Sequence, residues 1–293
     1  QRHGRNDTSW VTRRGEARRA AVARLRESGD PSAALDADLL LAHACGIGKE
    51  ELYAHTEVAL GGAQAGAFEE LVRRRAEGEP VAYLRGFKEF YGLRVAVDRR
   101  VLIPRPETEV LVDAVLEFMR STGRHRVADV GTGSGAIAVA IAVREPRARV
   151  IAIDRSADAL EVARVNVRAH GLEDRVELRR GDLLAPIHET VDVVAANLPY
   201  LRDDVLEQLA AERTSLAFEP REAVVAGPDG LDVIRRAVAQ LPERLGPGGA
   251  AFFECDPPQA GEIERLLRDA IGARTRVLND LSGAARVVHG IRR

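Results

Sequence analysis

The sequence predicts an α/β fold in which a doubly wound, mostly parallel sheet follows a small helical domain. From residue 126 onward, short β-branched and apolar runs alternate with helical stretches, the pattern of a parallel sheet covered on both faces. Before residue 86, apolar residues instead recur at helical spacing. The last two strand-like runs, 275–278 and 285–291, lie too close together for a helix between them, so we expect one antiparallel strand near the C-terminus.

Length and composition limit the possible classes of protein. The chain has 293 residues, 45% hydrophobic and 30% charged, which is typical of a globular protein with one large and one small domain. A net charge of −2 provides no overall field that would attract nucleic acid or a membrane. Cys45 and Cys255 are far apart in sequence, which favours a reducing, cytoplasmic compartment and no metal site. We expect no membrane span, no signal peptide, and disorder over residues 1–9.

The first domain is predicted to occupy residues 1–85 and to consist of helices. Its apolar periodicity predicts four of them, at 17–25, 34–44, 50–56 and 63–76. Arginines cluster in this domain at 13–14, 18–19 and 73–75. Such clusters could bind an acidic partner, or they could form solvated helix faces.

Residues 86–97 alternate in polarity around Gly92 and predict a β-hairpin. The hairpin would form a linker, 86–100, between the helical domain and a second domain of residues 101–293.

The segment 101–109 opens the second domain. Its two prolines exclude a regular helix or a central strand. Thr108 is a candidate N-cap for a helix over 110–119. Arg105 and Glu107 could line the mouth of the ligand site described next, or they could belong to a solvated linker.

A glycine-rich turn follows the first strand of this domain. The run from Asp129 leads into Gly131-Thr132-Gly133-Ser134-Gly135, and an apolar helical stretch begins at Ala136. Glycines permit positive φ and a close approach of a ligand to the main chain, and the helix start offers free N–H groups. Dinucleotide sites have G-x-G-x-x-G. The spacing here is G-x-G-x-G, which favours S-adenosylmethionine (SAM). The alternative is a turn that only connects a strand to a helix.

Asp154 ends the next apolar run, where a nucleotide-binding α/β unit places an acid on the ribose hydroxyls. A carboxylate can accept hydrogen bonds from two neighbouring hydroxyls at once. Asp154 could instead cap the following helix, although Ser156 is the better capping residue.

The remaining alternation extends the sheet. Helices are predicted at 157–169, 231–245 and 259–270, and strands at 176–179, 191–196 and 250–254. Polar or glycine residues follow four successive strands at their carboxyl ends: Gly131, Asp154, Asp182 and Asn197. Because ligands of such sheets bind beyond those ends, we expect these residues to surround one site.

Asn197-Leu198-Pro199-Tyr200 ends the fourth strand and is a candidate site for a planar amino group that accepts a methyl group. Such a nitrogen is a poor nucleophile because its lone pair is delocalised. Asn197 Oδ1 and a backbone carbonyl of the turn could accept its two N–H groups, and the Tyr200 ring could stack on it. The alternative is a strand-exit turn, in which Asn-x-Pro is common.

Together these motifs resemble the HemK/PrmC-type peptide chain release factor N(5)-glutamine methyltransferases. The similarity lies in segments 101–109, 129–138 and 197–200, in Asp154, and in the run Phe-Glu-Pro-Arg-Glu-Ala-Val-Val-Ala-Gly-Pro-Asp-Gly-Leu at 218–231. It covers nearly the whole chain. One departure is Leu198, where the family usually has proline; another is Glu254-Cys255-Asp256-Pro257, where glycine usually follows the glutamate.

The resemblance implies a Rossmann-like, SAM-dependent methyltransferase domain and a helical domain that recognises the substrate. The substrate would be the glutamine of the Gly-Gly-Gln motif in class I release factors. Residues that would hold SAM are Asp129, Gly131, Thr132, Gly133, Ser134, Gly135, Asp154, Asp182, Leu183 and Asn197. Residues that would hold the acceptor are Asn197, Leu198, Pro199, Tyr200, Arg105 and Glu107, of which Asn197, Pro199 and Tyr200 would be catalytic.

Two other functions remain open on the residues alone. An adenine-N(6) methyltransferase would share the Asn197–Tyr200 motif, but it needs a basic, aromatic-lined groove. A SAM-binding scaffold without catalysis would have substitutions in the acceptor motif, whereas Asn197, Pro199 and Tyr200 are all present. We therefore expect a release factor as partner, and no membrane or direct nucleic acid contact.

Overall fold

The computed structural model describes residues 12–205, 208 and 215–293. The expected disorder of residues 1–9 lies outside this described part. Residue contacts divide the chain into two units, Gln1–Arg85 and Gly86–Arg293. Among the described residues, no helix has both the length and the apolar character that a membrane crossing requires.

The first unit is helical, as predicted. Its helices are α1 Arg14–Glu27, α2 Ala33–Cys45, α3 Lys49–Ala54, α4 Gly62–Ala76 and α5 Val81–Arg85. The short α5 was not predicted, because five residues are too few to show a helical period. Leu25, Leu40 and Leu41 are fully buried in its core. This unit therefore has an apolar core of its own. Burial of each such side chain contributes roughly 1.5–3 kcal/mol to the free energy of folding.

The arginines of α4 are paired with acids of the same unit. Arg73 bonds to Glu70 and Glu77, which lie one turn away on either side. Arg75 Nε donates to Asp36 Oδ2 at 2.7 Å. Because these arginines already pair with acids of their own unit, the contacts argue against an acidic partner bound at the 73–75 cluster.

The second unit begins with the predicted hairpin and continues as an alternating α/β structure. The hairpin strands are β1 Phe87–Phe90 and β2 Leu93–Ala96. The helices that follow are α6 Glu109–Thr122, α7 Ala136–Arg144, α8 Ala157–Ala169, α9 Asp232–Arg244 and α10 Ala260–Ile271. The sheet strands are β3 Arg126–Val130, β4 Arg149–Asp154, β5 Val176–Arg180, β6 Val191–Ala196, β7 Leu245–Glu254, β8 Arg274–Asn279 and β9 Ala285–Ile291.

The seven strands lie in the order β5-β4-β3-β6-β7-β9-β8. Strands β3 to β7 are parallel, and β9 runs antiparallel to both of its neighbours. The predicted doubly wound sheet with one antiparallel strand near the C-terminus is therefore confirmed. The strand order reverses between β3 and β6, and ligands of open α/β sheets bind at such a reversal.

Helix α7 explains why the stretch after the glycine-rich turn is apolar on all sides. Its residues from Ala136 to Ala142 are all buried. The helix is therefore enclosed, and its first turn lies directly after the glycine-rich loop.

Candidate active site

The glycine-rich loop turns sharply after β3. Gly131, Gly133 and Gly135 have φ of +73°, +54° and +79°, the left-handed region that favours glycine. The N–H groups of Gly131 and Thr132 donate to the Ile153 carbonyl at 2.9 and 2.8 Å, which ties the loop to β4. The loop main chain is thereby held at the switch point of the sheet.

Asp154 joins this loop to the start of α8. Its Oδ2 accepts from Gly133 N and its Oδ1 from Ser156 N, both at 2.9 Å. Ser156 caps α8, as predicted, because its Oγ accepts from Ala159 N at 3.2 Å. The Asp154 carboxylate therefore does not act as the cap, and it faces the cleft described next.

One cleft lies along the carboxyl ends of β3, β4, β5 and β6. It encloses about 920 Å³, open mouth included. Six residues expected at the cofactor line it: Gly131, Gly133, Asp154, Asp182, Leu183 and Asn197. The residues that sequence reasoning assigned to four separate strand ends are thus brought to one place.

Four other residues expected at the cofactor, Asp129, Thr132, Ser134 and Gly135, do not line this cleft. Asp129 is fully buried, and its Oδ2 accepts from Thr132 Oγ1 at 2.5 Å and Ala138 N at 3.1 Å. Burial raises the pKa of Asp129 to about 7, although these two hydrogen bonds oppose the shift. These contacts hold the loop in shape from behind.

The cleft fits SAM in its chemistry. A Cβ on Gly133 would meet nothing within 4 Å, so ligand atoms can approach the main chain there. Asp154 offers a carboxylate for ribose hydroxyls, and the buried Leu183 offers an apolar wall for a base. At the rim, Arg236 bonds to Asp182.

A second cavity, of about 870 Å³ with its mouth, adjoins the first. It is lined by acceptor-motif residues and Arg105, among them Asn197, Leu198, Pro199 and Tyr200. Asn197, Leu198 and Pro199 line both cavities. The Leu198 side chain itself is buried against the loop, since a Cβ on Gly131 would lie 2.9 Å from Leu198 Cδ2.

The Asn197 amide is held by Thr108. Asn197 Nδ2 donates to Thr108 Oγ1 at 3.0 Å. The prediction that Thr108 caps α6 with its side chain is wrong, because no such bond forms and the hydroxyl faces Asn197 instead. A tertiary contact across 89 residues replaces the local cap.

Tyr200 is fixed by Glu254, a residue whose role sequence reasoning missed. The Tyr200 hydroxyl donates to Glu254 Oε1 at 3.2 Å. Burial, and then the nearby Glu254 charge, raise the pKa of Tyr200, so the phenol stays protonated. Burial also raises the pKa of Glu254.

Arg105 and Glu107, expected near the acceptor, differ in placement. Arg105 lines the second cavity and pairs with the fully buried Glu219, which also accepts from Ile103 N at 3.0 Å. Glu107 is exposed and lines neither cavity. The pairing of Glu219 with Arg105 was not predicted from the sequence, although Glu219 lies in the Phe-Glu-Pro-Arg run that contributes to the family resemblance. Within the described residues, no group of three or more His, Cys, Asp and Glu side chains is arranged to hold a metal ion.

The parallel sheet with its glycine-rich loop and two joined cavities is the architecture of a SAM-dependent methyltransferase domain, and the family matches show that the chain is such an enzyme. Two family models match it, the PrmC N-terminal domain at residues 16–86 and the methyltransferase small domain at 108–215. It is 40% identical over 290 residues to the release factor glutamine methyltransferase of Rhodopirellula baltica, covering 97% of each chain. It is 42% identical over 276 residues to that of Moorella thermoacetica, covering 93% of this chain and 96% of the relative. The chain belongs to the release factor glutamine methyltransferase family.

Solved structures show the same fold. The catalytic domain of hMettl16, in complex with MAT2A 3'UTR hairpin 6, matches with a TM-score of 0.56 at 14% identity, over 78% of this chain and 81% of that one. The T. thermophilus 16S rRNA N2 G1207 methyltransferase RsmC, in complex with AdoMet and guanosine, matches with a TM-score of 0.51 at 19% identity, over 71% and 50%. At these identities the likeness concerns the fold alone.

Proposed function

We propose that this chain transfers the methyl group of SAM to the side-chain amide nitrogen of the glutamine in the Gly-Gly-Gln motif of class I release factors. The observation that carries the proposal is the wall formed by Asn197, Leu198 and Pro199, which belongs to both cavities. A cofactor in the first cavity and an amide in the second would meet at that wall.

The residues of the wall act by holding the amide nitrogen still. The Asn197 NH₂ group is engaged by Thr108, so its Oδ1 is left to accept one N–H of the acceptor amide. The Leu198 carbonyl would accept the other, and the Tyr200 ring would stack on the amide plane. These contacts stabilise positive charge that develops on the nitrogen. SAM supplies an electrophilic methyl group, and no strong base is needed because the proton can leave after transfer.

The other assignments follow the same division of the site. Gly131, Gly133, Asp154, Asp182 and Leu183 would contact SAM, and Asp129 with Thr132, Ser134 and Gly135 would support the loop. Arg105 would bind the acceptor peptide inside the second cavity, and Glu107 would contact the release factor outside it.

Three wider assignments complete the proposal. Residues 1–85 would form a domain that recognises the release factor, joined by the 86–100 linker to a catalytic domain of residues 101–293. The similarity to a PrmC N-terminal domain supports the first assignment. A cytoplasmic location is supported by Cys45 and Cys255, which are both free thiols.

The test combines labelled SAM, a class I release factor and mapping of the methyl group by tandem mass spectrometry. We expect one methyl on the Gly-Gly-Gln glutamine. Asn197→Ala should lower kcat about 100- to 1000-fold while the Kd for SAM changes less than about threefold. Asn279→Ala, an exposed asparagine at the end of β8, is the matched control.

Transfer to rRNA or DNA instead of the release factor would refute the proposed acceptor. Loss of SAM binding in Asn197→Ala would refute the division of roles between the two cavities.

A further inference from the structure

The second cavity is lined from segments that are far apart in sequence, among them 101–105 and 215–224. Glu219 joins these two segments. Its Oε2 accepts from Ile103 N at 3.0 Å, and its Oε1 accepts from Arg105 Nη2. Both oxygens of one carboxylate therefore bond to the segment that carries Arg105.

This contact holds the Arg105 guanidinium at the cavity wall and leaves most of its donors free. The Glu219 side chain is fully enclosed, whereas 31% of the Arg105 side chain is exposed. A guanidinium has five N–H donors, and within the described part of the chain the Arg105 side chain uses only Nη2, toward Glu219. Since Arg105 lines the cavity, its remaining donors are available to a molecule bound there.

The pair of Arg105 and Glu219 offers hydrogen-bond donors without a net charge. Arginine stays protonated in proteins, and the two N–H groups that Glu219 accepts favour its ionised form. Burial raises the pKa of Glu219, and the Arg105 charge opposes that rise. The positive charge at the cavity wall is therefore compensated directly behind it.

The rest of the cavity provides no other positive charge. Of the described residues that line it, Arg105 alone is charged. A phosphodiester placed there would lose hydration without gaining the net positive charge on which nucleic acid binding depends. A peptide carbonyl has no net charge to desolvate, and it can still accept from the guanidinium. Six of the lining residues are apolar: Leu102, Leu198, Leu201, Leu216, Ala223 and Val224.

We propose that Arg105 and Glu219 form a specificity-determining pair that binds a main-chain carbonyl of the acceptor peptide and disfavours a phosphodiester. Arg105 contacts the substrate, and Glu219 is a positioning residue that acts through Arg105. The inference rests on the proposed function, because it explains how the acceptor cavity selects a protein over a nucleic acid.

The first test is Glu219→Gln, which nearly keeps the size of the side chain and removes its charge. Arg105 then carries an uncompensated positive charge in the cavity. A short single-stranded oligothymidylate should become a better inhibitor, competitive with the release factor at saturating SAM. We expect its inhibition constant Ki to fall about tenfold, and the slope of log Ki against log salt to steepen by about 0.7. A merely structural role of Glu219 would not create affinity for a polyanion.

Asp192→Asn is the matched control for the first test. It also removes a carboxylate that pairs with a partly exposed arginine, since Arg124 Nη1 lies 3.3 Å from Asp192 Oδ1 and 34% of the Arg124 side chain is exposed. Neither residue lines either cavity of the site. The Ki of the oligothymidylate should therefore stay within about twofold of the unchanged protein.

The second test is the double variant Arg105→Gln/Glu219→Gln, so that the inference does not depend on one variant. Both charges are removed together, which avoids leaving one buried charge unpaired. The Ki of the oligothymidylate should return to that of the unchanged protein. The KM for the release factor should rise about tenfold, with less change in kcat, because the guanidinium donors to the peptide are lost. The Kd for SAM should stay within about twofold in every variant.

Three results would overturn the inference: a Ki of Glu219→Gln within about twofold of the unchanged protein, an equal gain of inhibition in Asp192→Asn, or an unchanged KM in the double variant. Failure of the unchanged protein to methylate the release factor glutamine would instead refute the proposed function itself. The two failures are therefore distinguishable.

Discussion

Gly230, in the Gly-Pro-Asp-Gly run, packs against the main chain of Tyr200. Its φ is +73°, and an added Cβ would lie 2.0 Å from the Tyr200 carbonyl oxygen. Carbon and oxygen in contact need about 3.3 Å, so Gly230→Ala would separate the two chain segments by about 1.3 Å. The Cβ would also lie 2.6 Å from Gln259 Nε2, which donates to the same carbonyl at 2.9 Å. Both supports of the Tyr200 main chain would therefore move.

The expected cost has two parts. A side chain at positive φ loses roughly 1–2 kcal/mol of folding free energy. A shift of about 1 Å in a substrate-orienting group can lower the rate about 100-fold. We therefore expect Gly230→Ala to lose about 100-fold in kcat/KM for the release factor. SAM affinity should be nearly unchanged, because an added Cβ meets Tyr200 and Gln259 and no residue of the glycine-rich loop.

The assay combines urea denaturation, calorimetric SAM binding and methyl-transfer kinetics on the folded protein. Gly283→Ala is the matched control, since Gly283 has φ of +85° and a Cβ there would meet nothing within 4 Å. It should lose only the roughly 1–2 kcal/mol of folding free energy that the positive φ costs, while methylation continues. Activity of Gly230→Ala within about threefold of the unchanged protein, or an equal loss in both variants, would refute the reasoning.

Two further predictions concern Asp154 and Asp129, whose carboxylates hydrogen-bond to the glycine-rich loop. The two carboxylate oxygens of Asp154 accept from the backbone N–H groups of Gly133 and Ser156, and Asp154→Asn would leave a single oxygen for both. We expect the Kd for SAM, measured by calorimetry, to rise about tenfold or more. An unchanged Kd would contradict the assignment of Asp154 to the cofactor. Burial raises the pKa of Asp129 to about 7 in the folded state, against about 4 in the unfolded chain. The folded state therefore binds the proton more tightly. The free energy of unfolding should fall as the pH rises from about 4 to about 7. Asp129→Asn should flatten that dependence in denaturation measured without SAM, and the same slope in the variant would rule out Asp129 as its source.

The order of elements and the edge that carries the site were predictable from the sequence. Periods of two and 3.6 residues are local properties, and the strands of a parallel sheet all end on one edge, so Gly131, Asp154, Asp182 and Asn197 could be placed together without a structure. The glycine-rich turn was equally local, because its positive φ values restrict the residue type at each position. The short α5 carried too little periodic signal to be found.

Only the tertiary structure decided which side chains support the site. Thr108 serves Asn197 and not its own helix, Glu254 holds Tyr200, and Glu219 holds Arg105 across 114 residues. The structure also separated residues that line the cleft from Asp129, which shapes the loop from inside. Local sequence determines which backbone conformation a segment can adopt. The hydrogen-bond partner of a buried side chain depends on which distant segment packs against it, and a window of neighbouring residues does not contain that information.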